Sequence, residues 1–306
     1  MARSGPDFGS SQAGLPNEMD FARMSEARLS IRRHLSVPFR AILAGVLVLA
    51  AAGLAGCSSD DETPYEERPV EQIYNTAMDH MQEGDYVPAA KEFDEVERQH
   101  PYSEWARRSM LMGAYAHYKV NQYDEAILGA QRFISLHPGN KDVAYAYYLV
   151  GLCYYEQISD VGRDQKMTEN ALNSFYELTR RFPTSEYARD ARLKIDLTLD
   201  HLAGKEMEIG RYYLTRHDYI AAINRFRIVI EKYQTTTHTP EALERLTEAY
   251  LSLGIKTEAQ TAAAILGYNF PGSDWYEDSY AMLAGQGLEP AENKDSWISK
   301  AWNSVF

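Results

Sequence analysis

The sequence predicts an all-α protein, an α-solenoid of about five helix pairs. Four prolines end apolar stretches along the chain, and a glutamine stands in the equivalent place of a further copy. These five markers are Pro101, Pro138, Pro183, Gln234 and Pro271. The same pattern of small and apolar residues precedes every marker, and such self-similarity is the signature of stacked helical repeats. With 45% hydrophobic and 25% charged residues, the chain of 306 residues can bury one or two ordinary cores.

The residues before each marker describe one face of a helix. Alanine stands twelve positions before every marker, at Ala89, Ala126, Ala171, Ala222 and Ala259. The positions eight and five residues before each marker are all apolar, and positions three or four apart share one helical face. A further twelve positions upstream, or twenty in the third unit with its eight additional residues, lie the small residues Ala77, Ala114, Gly151, Gly210 and Thr247. We therefore expect two antiparallel helices in each unit, packed closely at the small residues.

This pattern resembles the tetratricopeptide repeat, most clearly in "YAHYKVNQYDEA" at 115–126. Residues 71–183 are predicted to hold repeats 1–3, and extra residues around 158–165 lengthen the turn of the third. Residues 184–271 are predicted to hold a long helix and repeats 4–5. The stretch 184–216 contains no proline, which predicts a rigid helix of roughly 50 Å that joins the two halves.

Residues 272–306 are predicted to form a cap helix and a tail that contains tryptophan. Asp274 and Glu277 suit the N-terminal positions of the cap helix. In the tail, Ile298 and Trp302 lie at helical spacing. Two interpretations of the tail stay open: a short helix that lies on a membrane or docks on a partner, and a disordered end.

The N-terminus predicts an exported protein. Basic residues precede "AILAGVLVLAAAGLAG", an apolar run that is typical of a signal peptide and short for a membrane span. The predicted signal peptide covers residues 1–56. Met24 is an alternative start, in which case residues 1–23 are not translated.

The end of this segment, "LAGC" at 54–57, resembles the lipobox of bacterial lipoproteins. In that motif the cysteine sulfur receives a diacylglycerol and cleavage occurs in front of it, so Cys57 would begin the mature chain as a membrane anchor. Ser58 and Ser59 favour the outer membrane over inner-membrane retention. Residues 57–70 are acidic and contain proline, which indicates a flexible tether. The alternative is an ordinary signal peptide with a chance cysteine.

Composition and motifs exclude several classes of function. The formal net charge of −13 argues against a nucleic-acid partner, because phosphate binding needs clustered Lys and Arg. The sequence contains no GxSxG, HExxH or GxxxxGK[ST] motif, and its histidines show no metal-ligand spacing. Cys57 and Cys153 cannot build a disulfide framework. We therefore predict no catalytic residues, no metal site and no cofactor.

The first helices of the repeats are predicted to line a concave surface that binds peptides. Register places mostly aromatic residues on this inner stripe in repeats 1–3: Tyr74, Arg108, Tyr115, Tyr118, Tyr145, Tyr148 and Tyr155. Tyrosine suits peptide recognition because it combines a large rigid ring with a hydroxyl group. Repeats 4 and 5 offer charged and aliphatic residues there instead. The alternative is that part of these rings pack between neighbouring helices.

The combination of lipobox, acidic tether, five repeats, enlarged third turn and long helix resembles the BamD family, the lipoproteins of the β-barrel assembly machinery. The resemblance implies a non-enzymatic scaffold on the periplasmic face of the outer membrane. It also implies that the C-terminal half binds the barrel subunit BamA, alongside other subunits of the assembly complex. The N-terminal half would receive C-terminal signal peptides of unfolded outer-membrane proteins. In "INRF" at 223–226, Asn224 and Arg225 match a family pair at the BamA interface.

A second function stays open at this stage. A lipid-anchored repeat adaptor that organises cell-division or peptidoglycan enzymes would carry much the same repeats. The proteins that co-purify with the chain in mild detergent separate the two functions.

Overall fold

The computed structural model describes residues 67–304, which form twelve α-helices and no β-strand. The all-α prediction is confirmed for this part of the chain. The predicted signal peptide, Cys57 and the tether up to residue 66 lie outside the described residues. The helices are α1 (Val70–Glu83), α2 (Tyr86–Gln99), α3 (Glu104–Lys119), α4 (Tyr123–Leu136), α5 (Val143–Tyr155), α6 (Lys166–Arg181), α7 (Glu186–Thr215), α8 (Tyr219–Lys232), α9 (Thr239–Ser252), α10 (Lys256–Asn269), α11 (Asp274–Ala284) and α12 (Trp297–Trp302).

The helices stack in chain order. From α1 to α10 each helix packs mainly on the helices before and after it, as expected of a solenoid in which a repeat touches only its neighbours, and α11 packs on both α9 and α10. Weaker contacts join α1 to α3, α3 to α5 and α5 to α7. The first helices of successive pairs therefore lie side by side and form one continuous surface.

The repeat register is confirmed by burial. The five alanines predicted for the second helices are completely buried, and so are the apolar residues at the two following register positions. The largest of these side chains are Phe93, Phe133, Phe175 and Phe226. One apolar stripe per helix pair therefore builds the core.

Two glycines of the predicted register allow the helices to approach closely. A Cβ atom on Gly210 would lie 2.3 Å from Cε1 of Phe226, and a Cβ on Gly151 would lie 2.5 Å from Cε1 of Phe175. Real Cβ atoms do not come so near to a ring carbon. Each phenylalanine ring therefore lies directly on the backbone of the preceding helix.

The long helix predicted before repeat 4 is α7, which contains 30 residues and is about 45 Å long at 1.5 Å per residue. Its N-cap is Ser185, whose side chain accepts a hydrogen bond from the Ala188 N–H. It packs against α6 and α5 at one end and against α8 at the other. The enlarged third turn covers residues 156–165, and Lys205 Nζ on α7 donates to the carbonyl of Gly162 in that turn at 2.9 Å.

The C-terminal tail packs back on the chain's own repeats. Helix α12 lies against α8 and α10, with Ile298 fully buried and Trp302 6% exposed. Gln234 Nε2 donates to the carbonyl of Ala301 at 2.8 Å, and Trp297 Nε1 donates to the Tyr250 hydroxyl at 2.8 Å. The tail therefore contains a short helix, as the first interpretation predicted, and the disordered end is wrong; the apolar side chains of this helix pack on the chain's own repeats.

Within residues 67–304, no helix combines the length and the apolar character that crossing a membrane requires.

We predict that Gly210→Ala destabilises the fold by about 1 to 3 kcal/mol, because the new methyl group must displace the buried ring of Phe226. The better helix propensity of alanine offsets at most about 1 kcal/mol of this cost. Thermal unfolding followed by circular dichroism measures the change. Gly139→Ala is the matched control, since nothing lies within 4 Å of its Cβ position. Equal melting temperatures for both variants would contradict the close approach.

Candidate functional site

A cavity of about 620 Å³ opens on the surface formed by the first helices of repeats 1–3. We call it the tyrosine cleft. Helices α1, α3, α5 and α7 and the loop before α5 supply its walls. Its main lining side chains are Tyr74, Arg108, Leu111, Lys141, Tyr145 and Tyr187. Three residues of the predicted inner stripe, on three different helices, therefore come together in one cavity.

One wall of the tyrosine cleft is a stack of side chains from α1 and α3. The ring of Tyr74 lies 4.7 Å from that of Trp105 and 5.7 Å from that of Phe93. The guanidinium of Arg108 lies 5.7 Å from the Trp105 ring centroid, close enough for a cation–π interaction. These contacts hold Tyr74 and Arg108 in place before any ligand binds.

The opposite wall consists of tyrosines from α5 and α7. The ring of Tyr187 lies 5.3 Å from that of Tyr145 and stacks on Tyr148 at 5.4 Å. The Tyr148 hydroxyl donates to Oδ2 of Asp190. The first two turns of α7 therefore belong to the inner surface as well as to the connection between the two halves.

Tyr187 and Asp190 were not predicted as site residues, because the start of α7 was interpreted only as a connector. A signal for Asp190 was present in the sequence. Arg108, Tyr145 and Asp190 each lie seven residues after a marker proline, and Trp105 and Tyr187 each lie four residues after one. Counting forward from Pro183 would have placed the start of α7 on the inner stripe.

The remaining predicted tyrosines extend the stripe beyond the tyrosine cleft. The Tyr118 hydroxyl donates to Oε1 of Glu156 at 3.2 Å, and the rings of Tyr115 and Tyr118 lie 6.4 Å apart. Tyr155 packs on Phe175, with Lys194 Nζ 4.8 Å from its ring centroid. All three side chains are half-buried. They contact neighbouring side chains and do not line the cavity.

The phenol groups of Tyr118, Tyr145 and Tyr148 stay protonated at neutral pH. Burial, followed by the nearby tyrosines, raises the pKa of Tyr145, while burial and then Asp190 raise the pKa of Tyr148. Burial and the neighbouring Glu156 raise the pKa of Tyr118 to about 12. The Tyr145 hydroxyl can therefore donate a hydrogen bond to a carbonyl or carboxylate oxygen of a ligand, whereas those of Tyr118 and Tyr148 already donate to Glu156 and Asp190.

The inner surface of repeats 4 and 5 has a different chemistry. Arg211 Nη1 donates to both carboxylate oxygens of Glu241 at 2.9 Å. Glu244 is buried beside Arg245, and burial raises its pKa to about 7 although Arg245 opposes the shift. Helix α11 covers α9 at this point. The charged side chains here form ion pairs within the molecule, unlike the cationic side chains of the tyrosine cleft.

The two residues predicted at a partner interface point in different directions. Asn224 is exposed and lines a cavity of about 590 Å³ where the turn between α7 and α8 meets the turn between α9 and α10. We call this cavity the turn-edge notch. Its apolar lining includes Ile220, which is 69% exposed, and Leu253. Arg225 instead donates from Nη1 to Oε2 of Glu206 on α7 at 3.1 Å.

One group of possible metal ligands is present in residues 67–304. His80, Glu83 and Asp85 place ligand atoms within 4.8 Å of one another at the end of α1. Two of the three side chains are exposed acids, and such groups are common on protein surfaces without a metal.

Comparison with known proteins agrees with this architecture. The profile of the YfiO family, described as "Outer membrane lipoprotein", matches residues 66–265. The outer membrane protein assembly factor BamD of Caulobacter vibrioides is 57% identical over 80% of this chain and 81% of its own length. BamD of Rickettsia prowazekii is 45% identical over 79% of this chain and 96% of its own.

The solved structure of a thermophilic TPR protein from Thermus thermophilus covers 71% of this chain and all of its own, with 18% identity and a TM-score of 0.34. That score is too low to add to the description of the fold. The assignment rests on the sequence relatives and the matched profile. From these matches, the chain belongs to the BamD family of outer membrane protein assembly factors.

Proposed function

We propose that the chain is a lipid-anchored scaffold of the outer-membrane protein assembly complex, with two binding surfaces. The tyrosine cleft binds C-terminal signal peptides of unfolded outer-membrane proteins, and the half formed by α7 to α10 binds the BamA barrel subunit. The family relationship itself supports a role in outer membrane protein assembly. The observation that carries the finer proposal is the tyrosine cleft, which offers aromatic and cationic side chains on one open surface.

The chemistry of the tyrosine cleft supports peptide binding. Rigid aromatic rings contribute contact area at a small cost in conformational entropy, and their hydroxyls can pair with backbone groups of an extended chain. The rings of Tyr74, Tyr145 and Tyr187 come from three helices and face one cavity. A cavity with apolar walls and a few polar groups is the usual form of a ligand site.

The turn-edge notch of repeats 4 and 5 supports binding of a second protein. Ile220 and Leu253 are large aliphatic residues that stay exposed and line the notch together with Asn224. The Arg225 side chain keeps 38% of its surface exposed although it pairs with Glu206. An exposed apolar notch is a suitable docking site for a folded partner domain, and Arg225 offers a partly exposed charge on the same helix.

Anchoring through Cys57 would confine this scaffold to the membrane surface at which the assembly complex lies, on its periplasmic side. Tethering raises the effective concentration of the chain near its partners to the millimolar range, in order of magnitude. The interfaces with those partners can then be of moderate affinity.

We predict that Cys57→Ala abolishes lipid attachment and moves the protein out of the outer-membrane fraction. Cys153→Ala is the matched control, because Cys153 is buried in the core and cannot carry a lipid. Cell fractionation and mass spectrometry of the mature N-terminus provide the measurement. An unmodified Cys57, or cleavage at a bond other than Gly56–Cys57, would contradict the anchor.

We predict that replacing Tyr145 and Tyr187 with alanine weakens binding of a C-terminal signal peptide by about tenfold or more. Interface aromatics often cost over about 1 kcal/mol when truncated, and 1.4 kcal/mol corresponds to tenfold. Fluorescence anisotropy with a labelled peptide from an outer-membrane barrel protein measures the change. Tyr268→Ala removes an 87% exposed ring on α10 and should leave affinity unchanged. The tyrosine cleft is not the peptide site if all three substitutions have the same effect.

We predict that Arg225→Glu weakens co-purification with BamA at least tenfold, because it removes a charge-assisted hydrogen bond of about 1.5 to 3 kcal/mol. This variant also breaks the internal pair with Glu206, so a second variant is needed. Combining Arg225→Glu with Glu206→Arg restores the internal ion pair with its direction reversed. BamA binding should stay weak in this swap. Recovery of binding would show that Arg225 acts only on the fold.

A further inference from the structure

The tyrosine cleft carries positive charge that ion pairs within residues 67–304 do not neutralise. Three cationic side chains line it, Arg107, Arg108 and Lys141, against the single carboxylate of Asp142. Arg107 approaches Glu104 at 4.0 Å, whereas Arg108 and Lys141 take part in no ion pair with any other residue of 67–304. The whole chain has a formal net charge of −13. A cationic cavity on such an acidic protein indicates a ligand with a negative charge.

The Arg108 side chain is held at the cavity by a neighbouring ring, and Lys141 lies in a loop with an internal hydrogen bond. Arg108 lies over the ring of Trp105, which in turn packs on Tyr74. Lys141 lies in the short loop before α5, where Oδ1 of Asn140 accepts a hydrogen bond from the N–H of Asp142 at 2.9 Å. Side chains and loops that are ordered in advance lose less entropy when they bind a ligand.

We propose that the tyrosine cleft recognises the free α-carboxylate at the end of a polypeptide through Arg108 and Lys141, with the terminal aromatic or aliphatic side chain held among Tyr74, Tyr145 and Tyr187. This proposal rests on the proposed function, since it names the chemical group of the peptide that the cleft selects. Capture of a terminal carboxylate is one of the recurring ways in which proteins recognise peptides.

The dimensions of the cavity favour the end of a chain over its middle. A volume of about 620 Å³ is that of a small-molecule site and accommodates only a few residues. A chain terminus provides one negative charge directly beside its last side chain, which matches two cations beside aromatic walls. Hydrogen bonds between a guanidinium or ammonium group and a carboxylate are also roughly twice as strong as neutral ones.

The Tyr145 hydroxyl adds a further donor to the same site. Burial keeps this phenol protonated, as its raised pKa indicates. A protonated phenol donates to a carboxylate oxygen, whereas a phenolate would repel it.

The test compares two peptides that differ only at their C-terminus. Both are short synthetic peptides with alternating aromatic residues and a final phenylalanine, one ending in a free carboxylate and the other in a carboxamide. A third peptide has the carboxamide end and an aspartate as its penultimate residue. The protein is the full mature chain, and affinity is measured by isothermal titration calorimetry. We expect the free acid to bind about tenfold more tightly than the amide, although the net charge of the protein favours the amide.

The variant Arg108→Gln with Lys141→Gln should bind the free acid as weakly as the amide and leave the amide affinity unchanged. The matched control is Lys91→Gln with Lys256→Gln, which removes two exposed positive charges that do not line the cavity. This control should keep the preference for the free acid. A loss of the preference in both double variants would show that net charge, and not the cleft, sets the affinity.

Three further outcomes overturn the proposal. If the wild-type protein binds the free-acid and the amide peptide equally, the cleft does not recognise the carboxylate. Peptide binding and the proposed function then still stand. If the aspartate peptide binds as tightly as the free acid, the cleft accepts any carboxylate and the terminus is not recognised. If none of the peptides binds, the peptide-binding part of the proposed function fails as well.

Discussion

The structure depends on how closely the two helices of each pair can approach. Where Gly151 and Gly210 lie beneath Phe175 and Phe226, a ring rests on helix backbone with no side chain between them. This contact fixes the separation of the two helices, and the buried alanines repeat a similar fit in the other units. Repetition of the fit aligns α1, α3, α5 and the start of α7 on one side. The tyrosine cleft is a consequence of this alignment, since α1, α5 and α7 contribute one lining side chain each and α3 contributes four.

The two halves of the solenoid use their polar groups differently. In the first half, Arg108 and Lys141 point into an open cavity without a carboxylate partner in the described part of the chain. In the second half, Arg211 pairs with Glu241, and Arg225 pairs with Glu206. Paired charges stabilise contacts between helices, whereas unpaired charges in a cavity are available to a ligand. One repeat architecture therefore combines a cationic cavity in its first half with an exposed apolar notch in its second.

The sequence predicted what depends on local spacing and missed what depends on contacts between distant segments. The helix pairs, the buried register and the long helix followed from alanines and prolines at regular positions. The packing of the tail did not, because Gln234 and the carbonyl of Ala301 are 67 residues apart. The replacement of a marker proline by Gln234 was visible, but its reason was not: the side chain binds the tail. Tyr187 was missed since α7 serves two repeats at once.

Helix α7 also fixes the distance between the two proposed binding surfaces. Tyr187 lies in its first turn at the tyrosine cleft, and Glu206 meets Arg225 near its other end. Nineteen residues of continuous helix separate them, or about 28 Å at 1.5 Å per residue. A helix that is packed on both sides keeps its length. The number of residues between Tyr187 and Glu206 therefore sets the distance between the two surfaces. In the proposed arrangement, a polypeptide end bound in the tyrosine cleft stays at a constant distance from the barrel subunit. Transfer of the unfolded protein to the barrel subunit then depends on whether its chain is long enough to span this distance.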